Sequence, residues 1–212
     1  MGRRAYLLMA FLALLLVVVV FVLPSDSSEK KPSALPPFGG DFSLKSHLGD
    51  TFTLSSVQGS FALVFFGFTH CPEVCPLGLK KMSDVLDLLP QTSSSRLAPI
   101  FITVDPLRDT PSVLASYLSS FSPKIVGLTG TEAEIADVVK RYAIYAEKVA
   151  LHDSAHGESG HAESGHGNGD YTVNHTTHFI LLDPRGNFVK LYADDLTAQD
   201  ITRDLALVMG GG

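Results

Sequence analysis

After the N-terminal region, the hydrophobic positions of the chain fall into short runs with two different periods. Continuous apolar runs at SFALVFFGF (60–68) and LAPIFITVD (97–105) are typical of strands buried on both faces of a sheet. Shorter runs at TFTL (51–54) and KIVGLTG (124–130) predict two further strands. The segments HFILLD and NFVKLYA flank the turn PRGN, so residues 178–193 are predicted to form a β-hairpin.

Segments with helical spacing separate these strands. Thr110 before Pro111 predicts a capped helix start, and Thr131 with Glu134 has the capping-box arrangement. The predicted helices are LGLKKMSDVLDLL (77–89), TPSVLASYLSSF (110–121), TEAEIADVVKRYAIYAEKV (131–149) and TAQDITRDLALVM (197–209). The alternation of strands and helices, followed by a hairpin, predicts an α/β fold with a mixed central sheet.

The N-terminus carries the longest apolar run of the chain. Ala5 to Leu23 are 19 positions without a charge, and a helix of that length spans about 28 Å, close to the hydrocarbon thickness of a bilayer. A cleaved signal peptide is the alternative, but its apolar stretch is usually shorter. We therefore predict an uncleaved anchor at 1–23. Arg3 and Arg4 place its start in the cytoplasm and the rest of the chain outside.

The exported part consists of three predicted regions. Residues 24–40 are rich in proline, serine and charge and predict a flexible linker. Residues 41–208 form the folded domain, and 209–212 a flexible tail. The net charge is −6, and no arginine-rich run follows the anchor, which argues against nucleic-acid binding. Both cysteines lie in the exported part, where disulfides can form and persist.

The segment THCPEVCP, which follows the buried strand 60–68, contains both cysteines of the chain, Cys71 and Cys75. A structural disulfide here would close a loop of only a few residues and contribute comparatively little stability. A redox pair is favoured by the position before a helix, whose dipole lowers a thiol pKa. A metal site suits the spacing of the two cysteines equally well. The metal would be a soft ion such as Cu(I), which thiolate ligands select. The strand-end position is typical of functional sites in α/β sheets.

A metal site needs at least one further ligand, and three histidines compete for that role. His175 lies just before the strand HFILLD, and His178 begins that strand, where it is equally well explained as a packed core residue. His70 adjoins Cys71 and is positioned to tune the thiols. A lone histidine is weak evidence, so the residues alone leave the third ligand open.

Four of the eight histidines lie in the glycine-rich segment 152–169. They occur in a near-repeat of HGESG, HAESG and HGNGD, and they are His152, His156, His161 and His166. A spacing of five residues is not helical, and the glycines predict a mobile loop. One interpretation is a solvated low-complexity insertion without function. The other is an accessory metal-collecting loop, because neutral imidazoles bind Cu(II), Ni(II) or Zn(II).

The motifs FFGFTHCPEVCP, VDPLRDTP, FSPKIVGLTGT and YTVNHTT, with ILLDPRGNFV after them, closely resemble the Sco/SenC family of membrane-anchored copper proteins. The resemblance covers 41–208 in the family's order. It implies a thioredoxin-like fold, with Cys71 and Cys75 as thiolate ligands and His175 as imidazole ligand. It further implies one copper ion per domain, as Cu(I), Cu(II) or both.

The resemblance also implies a function and partners. Family members help to deliver copper to the binuclear copper centre of cytochrome c oxidase subunit II. A thiol–disulfide reductase must keep the cysteines reduced, and another periplasmic copper chaperone is an implied donor. The alternative is a thiol–disulfide oxidoreductase that reduces the cysteines of the oxidase subunit before metallation. Because no transit segment precedes the anchor, the outer compartment is predicted to be a bacterial periplasm.

Two further residues are predicted to tune the ligands. Asp105 of VDPLRDTP ends a strand near the site, although a turn-forming Asp-Pro explains it at least as well. Asn174 stands where the family usually has an aspartate before the ligand histidine. It keeps the hydrogen-bonding shape and removes a charge. The family's loop corresponding to 152–169 is usually short and lacks the histidine repeat.

Overall fold

The computed structural model describes residues 38–150 and 171–210, together with Gly2. The predicted anchor at 1–23, the linker up to residue 37 and the histidine-rich loop at 152–169 lie outside the described residues. Within the described part of the chain, no helix has the length and apolar character needed to cross a membrane.

Nine strands and five helices make up the described chain. The strands are β1 (Ser43–Ser46), β2 (Thr51–Thr53), β3 (Phe61–Gly67), β4 (Leu97–Thr103), β5 (Val126–Thr129), β6 (Ala146–Ala150), β7 (Tyr171–His175), β8 (Phe179–Leu182) and β9 (Phe188–Tyr192). The helices are α1 (Val74–Leu88), α2 (Gln91–Ser94), α3 (Pro111–Leu118), α4 (Glu132–Arg141) and α5 (Ala198–Gly210), with a 3-10 turn at Leu54–Val57.

Seven of the strands form one mixed sheet in the order β2-β1-β5-β4-β3-β8-β9. The central strands β3, β4 and β5 are parallel, whereas β8 and β9 on one side and β1 and β2 on the other are antiparallel. Strands β6 and β7 form a separate antiparallel hairpin. The predicted α/β fold with a mixed sheet is therefore confirmed.

Helix α1 packs closely against the central strand β3. Every residue of β3 is buried, as its unbroken apolar pattern predicts. A Cβ atom on Gly78 of α1 would lie 2.5 Å from the ring of Phe65, so only glycine permits this approach. Phe65 in turn stacks on Phe179 of β8, with ring centroids 4.9 Å apart. This packing fixes α1, and with it the cysteine segment, against the end of β3.

The prediction of a helix at 131–149 is correct for its first half and wrong for the residues after Arg141. Its capping box is present, since the Thr131 hydroxyl accepts from the Glu134 backbone and the Glu134 carboxylate accepts from the Thr131 backbone. The helix, however, ends at Arg141, and Ala143 has a φ of 50°, a left-handed conformation that interrupts it. Residues Ala146–Ala150 then pair with β7.

Other boundaries also differ from the prediction. Strands β1 and β7 were not predicted, because they are short and have little apolar periodicity. Helix α1 begins at Val74, three residues earlier than predicted, so that Cys75 lies in its first turn. Helix α5 continues to Gly210 with Met209 buried, and so includes the start of the predicted tail. The Thr110 cap and the β8–β9 hairpin occur as predicted.

Candidate metal centre

Three segments meet at the C-terminal end of β3. The chain leaves the sheet at Gly67 and turns through Cys71, whose backbone N–H bonds to the Phe68 carbonyl at 3.3 Å. Cys75 follows in the first turn of α1. His175 ends β7, and the backbone of Thr176 bonds to the Tyr145 carbonyl before β6 at 3.0 Å. The sheet, one helix and the separate hairpin thus each contribute to the site.

The structure brings together the three residues assigned as ligands by resemblance, Cys71, Cys75 and His175. Their sulfur and nitrogen atoms lie within 4.8 Å of one another, and Cys75 Sγ lies 3.4 Å from His175 Nε2. Two atoms bound to one ion at about 2.0–2.3 Å are at most about 4.6 Å apart, so very little movement is needed. Two thiolates and one imidazole form a group that could hold a metal ion and that suits copper chemically.

The two cysteines are free and differ in their environments. Cys71 is half-buried, and its sulfur accepts a hydrogen bond from the Cys75 backbone N–H at 3.4 Å. The Cys75 thiol, and secondarily backbone groups at the start of α1, lower the Cys71 pKa to about 4. Cys75 is fully buried, and the bond to Cys71 together with burial raises its pKa well above the usual range. The Cys71 sulfur is therefore a thiolate at neutral pH, and the Cys75 sulfur carries the proton.

His175 presents its Nε2 atom to the cysteines. Its Nδ1 atom lies 2.9 Å from the Thr176 carbonyl oxygen, which can only accept, so Nδ1 carries the hydrogen. Nε2 then has its lone pair free on the side of Cys75. The buried Phe68 ring contacts the imidazole edge-on, with centroids 5.7 Å apart. This is the tautomer that a metal-binding imidazole needs.

Asp105 contacts the histidine strand at its far end. Its buried carboxylate pairs with Arg108 and accepts a hydrogen bond from the Tyr171 hydroxyl at 2.6 Å. Arg108 stacks on the Tyr171 ring at 3.7 Å and donates to the Tyr171 carbonyl at 3.0 Å. Asp105 thus contacts Tyr171, at the opposite end of β7 from His175, and its tuning of the ligands stays a prediction.

The other predicted residues lie outside this cluster of three. Asn174 is exposed and stands opposite Glu147 in the hairpin. The His178 Nδ1 atom is buried and has no hydrogen-bond partner among the residues that the structure describes. His70 is half exposed and lies beside the Thr69 hydroxyl, at 3.1 Å. His152, His156, His161 and His166 lie outside the described residues.

Two residues that sequence reasoning did not assign to the site also adjoin it. A Cβ atom on Gly67 would lie 2.8 Å from Cys75 Sγ, so glycine leaves the space that this thiol fills. Asp109 is fully buried and accepts hydrogen bonds from Thr69, two residues before Cys71. In the sequence, Gly67 lies in the motif FFGFTHC and Asp109 in the motif RDTP. Neither residue has a conspicuous chemical role in its motif, so the sequence alone did not assign them to the site.

Comparison with known proteins gives concordant matches. A family model described as SCO1/SenC matches residues 30–210. Protein sco1 of Schizosaccharomyces pombe is 39% identical over 168 residues, which cover 79% of this chain and 59% of that protein. A SCO2-like protein of Rickettsia prowazekii is 33% identical over 193 residues and covers 87% of each chain. The chain thus spans less than two thirds of the fungal relative and most of the bacterial one.

Solved structures share the fold. The structure of Bradyrhizobium japonicum ScoI with copper bound superposes with a TM-score of 0.68 at 39% identity and covers 80% of this chain and 98% of that one. Yeast Sco1 with copper bound superposes with a TM-score of 0.69 at 33% identity, covering 84% of this chain and 91% of that one. The thioredoxin-like architecture expected from the sequence is therefore confirmed.

Proposed function

The chain belongs to the SCO1/SenC family, and we propose that it is a membrane-anchored copper-binding protein that delivers copper to the binuclear centre of cytochrome c oxidase subunit II. The observation that carries the proposal is the convergence of Cys71, Cys75 and His175 from separate segments. Support also comes from the two relatives of the same fold whose structures contain copper.

The ligand chemistry suits copper as a cargo. Two sulfurs and one nitrogen satisfy Cu(I) in a trigonal arrangement, and the thiolates are soft ligands that prefer this ion. The Cys71 thiolate is ready to bind, whereas Cys75 must release its proton to the solvent. Since Cys71 is only half-buried, a partner's ligands can approach the ion from that side. The residues that the structure describes contain one such group, which corresponds to one copper ion per domain.

A second function uses the same cysteines without a metal. The low pKa of Cys71 and the buried Cys75 thiol are also the features of a thiol–disulfide exchanger. The Cys71 thiolate would attack a disulfide of the oxidase subunit and form a mixed disulfide. Cys75 would then lose its proton and resolve it, leaving an intramolecular disulfide here and two thiols on the partner. This reaction does not require His175.

The cellular setting is part of the proposal. The apolar segment 1–23 anchors the chain with its N-terminus in the cytoplasm, and the folded domain lies in a bacterial periplasm. In that oxidising compartment Cys71 and Cys75 need a thiol–disulfide reductase to return them to the dithiol form. A second periplasmic copper chaperone supplies the ion.

Replacement of the histidine distinguishes the two functions. In cells that lack the wild-type protein, we expect His175→Ala to abolish oxidase assembly as completely as Cys71→Ser does. The matched control is His178→Ala, three residues further on and outside the ligand cluster, which should retain assembly. If His175→Ala loses copper but still supports oxidase assembly, copper delivery is wrong and the thiol–disulfide function is supported.

A further inference from the structure

The carboxylate of Asp109 is buried and holds together two segments that lead into the metal centre. Its side chain is 0% exposed. It accepts from the Thr69 backbone N–H at 3.0 Å, from the Thr69 hydroxyl at 2.6 Å and from the Thr103 hydroxyl at 2.6 Å. Thr103 is the last residue of β4, opposite Gly67 at the end of β3. Asp109 therefore joins the turn after β3 to the neighbouring strand end.

Besides Asp109, the buried ring of Phe68 anchors the start of this turn in the core. Residues 68–73 lie between β3 and α1 and belong to neither element. Within the turn, the Cys71 N–H bonds to the Phe68 carbonyl, so Cys71 moves with the residues that Asp109 holds. Asp109 itself is fixed, because its N–H bonds to the Asp105 carbonyl at 3.0 Å and the cap residue of α3, Thr110, follows it.

The buried Asp109 carboxylate needs hydrogen bonds that replace its contacts with water. Removing an ionised group from water is strongly unfavourable unless hydrogen bonds replace the lost solvation. Three donors from two segments supply that compensation here, and charge-assisted bonds of this kind impose a defined geometry. An apolar residue at such a buried position often stabilises the core as well as a carboxylate does. The carboxylate of Asp109 is therefore better explained by the position that its hydrogen bonds impose on the turn before Cys71 than by stability alone.

We propose that Asp109 is a positioning residue, whose carboxylate holds the turn from Phe68 to His70 so that the Cys71 sulfur stays within reach of Cys75 and His175. The inference concerns the same site as the proposed function. It also applies to the metal-free dithiol, because the hydrogen bonds between Cys71 and Cys75 depend on the same turn.

The test compares Asp109→Ala with Asp109→Asn in the reduced, metal-free full chain. We expect the Ala variant to shift the Cys71–Cys75 thiol–disulfide equilibrium with glutathione at least about tenfold toward the disulfide, or about 30 mV. The reason is that release of the turn removes the contacts that stabilise the dithiol. Asn keeps the shape and an acceptor for the Thr69 N–H, and the threonine hydroxyls can rotate to accept from its amide. The Asn variant should therefore stay within about threefold of wild type.

Two further variants separate positioning from general stability. Asp204→Ala removes a carboxylate that also holds neighbouring residues, through Lys190 and Tyr192, but away from the cysteines. It should lower the melting temperature and leave the equilibrium constant unchanged. If Asp109→Ala does not fold, Thr69→Val removes one of the three hydrogen bonds and should shift the equilibrium in the same direction by about threefold.

Three results would overturn the inference. The first is an Asp109→Ala protein that folds and retains the wild-type equilibrium constant. The second is an Asn variant as impaired as the Ala variant, which would make charge and not position the cause. The third is a Thr69→Val protein with the wild-type constant. Copper binding is measured separately. Loss of the proposed function would appear as a wild-type chain without copper affinity, whatever the equilibrium constants are.

Discussion

The two thiols of the site differ because their surroundings differ, although only three residues separate them. Cys71 accepts hydrogen bonds from a thiol and from N–H groups at the start of α1, where helical backbone donors have no partner within the helix. Cys75 is buried against β3 and donates its proton. The Cys71 sulfur can consequently bind a metal or attack a disulfide directly, whereas the Cys75 sulfur must first lose its proton.

This asymmetry predicts the pH dependence of alkylation. The Cys71 pKa is about 4, below the ordinary value of about 8.5 for a thiol, so its thiolate is the major form at every pH above about 4. The iodoacetamide reaction rate at Cys71, followed by peptide mass spectrometry, should change little between about pH 5 and pH 7. Cys75 should remain unmodified in the folded chain.

The control for alkylation is Cys75→Ala, which removes the main hydrogen-bond donor to Cys71. In that variant the Cys71 rate should rise with pH across the same interval. A wild-type rate that increases about tenfold per pH unit there would show an ordinary thiol and contradict the assignment.

Gly67 is the second residue whose replacement should affect the site. The added methyl group of Gly67→Ala would lie 2.8 Å from both Cys75 Sγ and the Phe101 ring. We expect a loss of about 1–3 kcal/mol in the free energy of unfolding, measured by chemical denaturation, because such overpacking must displace a side chain. Cu(I) affinity in a chelator competition should also fall. Gly210→Ala, where a Cβ meets nothing within 4 Å, should change neither quantity. Unaltered Cu(I) affinity in Gly67→Ala would show that Cys75 does not need this space.

At the scale of elements, the hairpin β6–β7 and its attachment decide where His175 lies. Strand β6 is exposed along its whole length, so burial of its own side chains contributes little to its position. The contacts of Tyr171 with Asp105 and Arg108 hold one end of β7 against the rest of the domain. At the other end, the bonds between Tyr145 and Thr176 join the two strands of the hairpin to each other next to His175.

Tyr171→Phe should loosen one of these ends. It removes the hydroxyl that donates to the buried Asp105 carboxylate, a bond worth about 1.5–3 kcal/mol because its acceptor is charged. We expect a severalfold loss of Cu(I) affinity, with Cys71 alkylation unchanged because the cysteine turn is not touched. Tyr145→Phe removes an exposed hydroxyl that bonds to Glu147 and should have no effect. Equal copper affinities in the two variants would contradict this role for Tyr171.

The elements also show what can be predicted from one sequence. Buried strands such as β3 and β4 are evident from their unbroken apolar runs, and the caps at Thr110 and Thr131 locate two helix starts. The strand β6 was not predicted because the helical spacing of 131–141 continues into it, and pairing with β7 overrides that local preference. Asp109 was missed because its partners, Thr69 and Thr103, are distant in sequence.

On the scale of the whole molecule, the ligand set joins residues about a hundred positions apart. Helix position and loop length indicated that Cys71 and Cys75 form a site, but no periodicity connects them to His175. That assignment depended on resemblance, and the fold brings the three residues together. The sequence also predicts the anchor at 1–23 and the loop at 152–169, which lie outside the described residues.

The histidine-rich loop has a prediction of its own, from its composition. Four imidazoles in 152–169 can collect Cu(II) weakly at neutral pH. Deletion of 152–169 should therefore lower copper loading in cells at low external copper and leave the Cu(I) affinity of the purified chain unchanged. Replacement of the loop by a glycine–serine segment of equal length controls for the connection between β6 and β7. Unchanged loading at low copper would support a solvated insertion without function.

The central claim is that Cys71, Cys75 and His175 bind one copper ion together. The most direct measurement is the copper content of the reduced chain after anaerobic loading with Cu(I) and removal of weakly bound metal by a competing chelator. We predict about one copper ion per wild-type chain and almost none in Cys71→Ser, Cys75→Ser or His175→Ala, because two ligands alone compete poorly with a chelator. A Cys71→Ser chain that retains a full equivalent of copper would contradict the account.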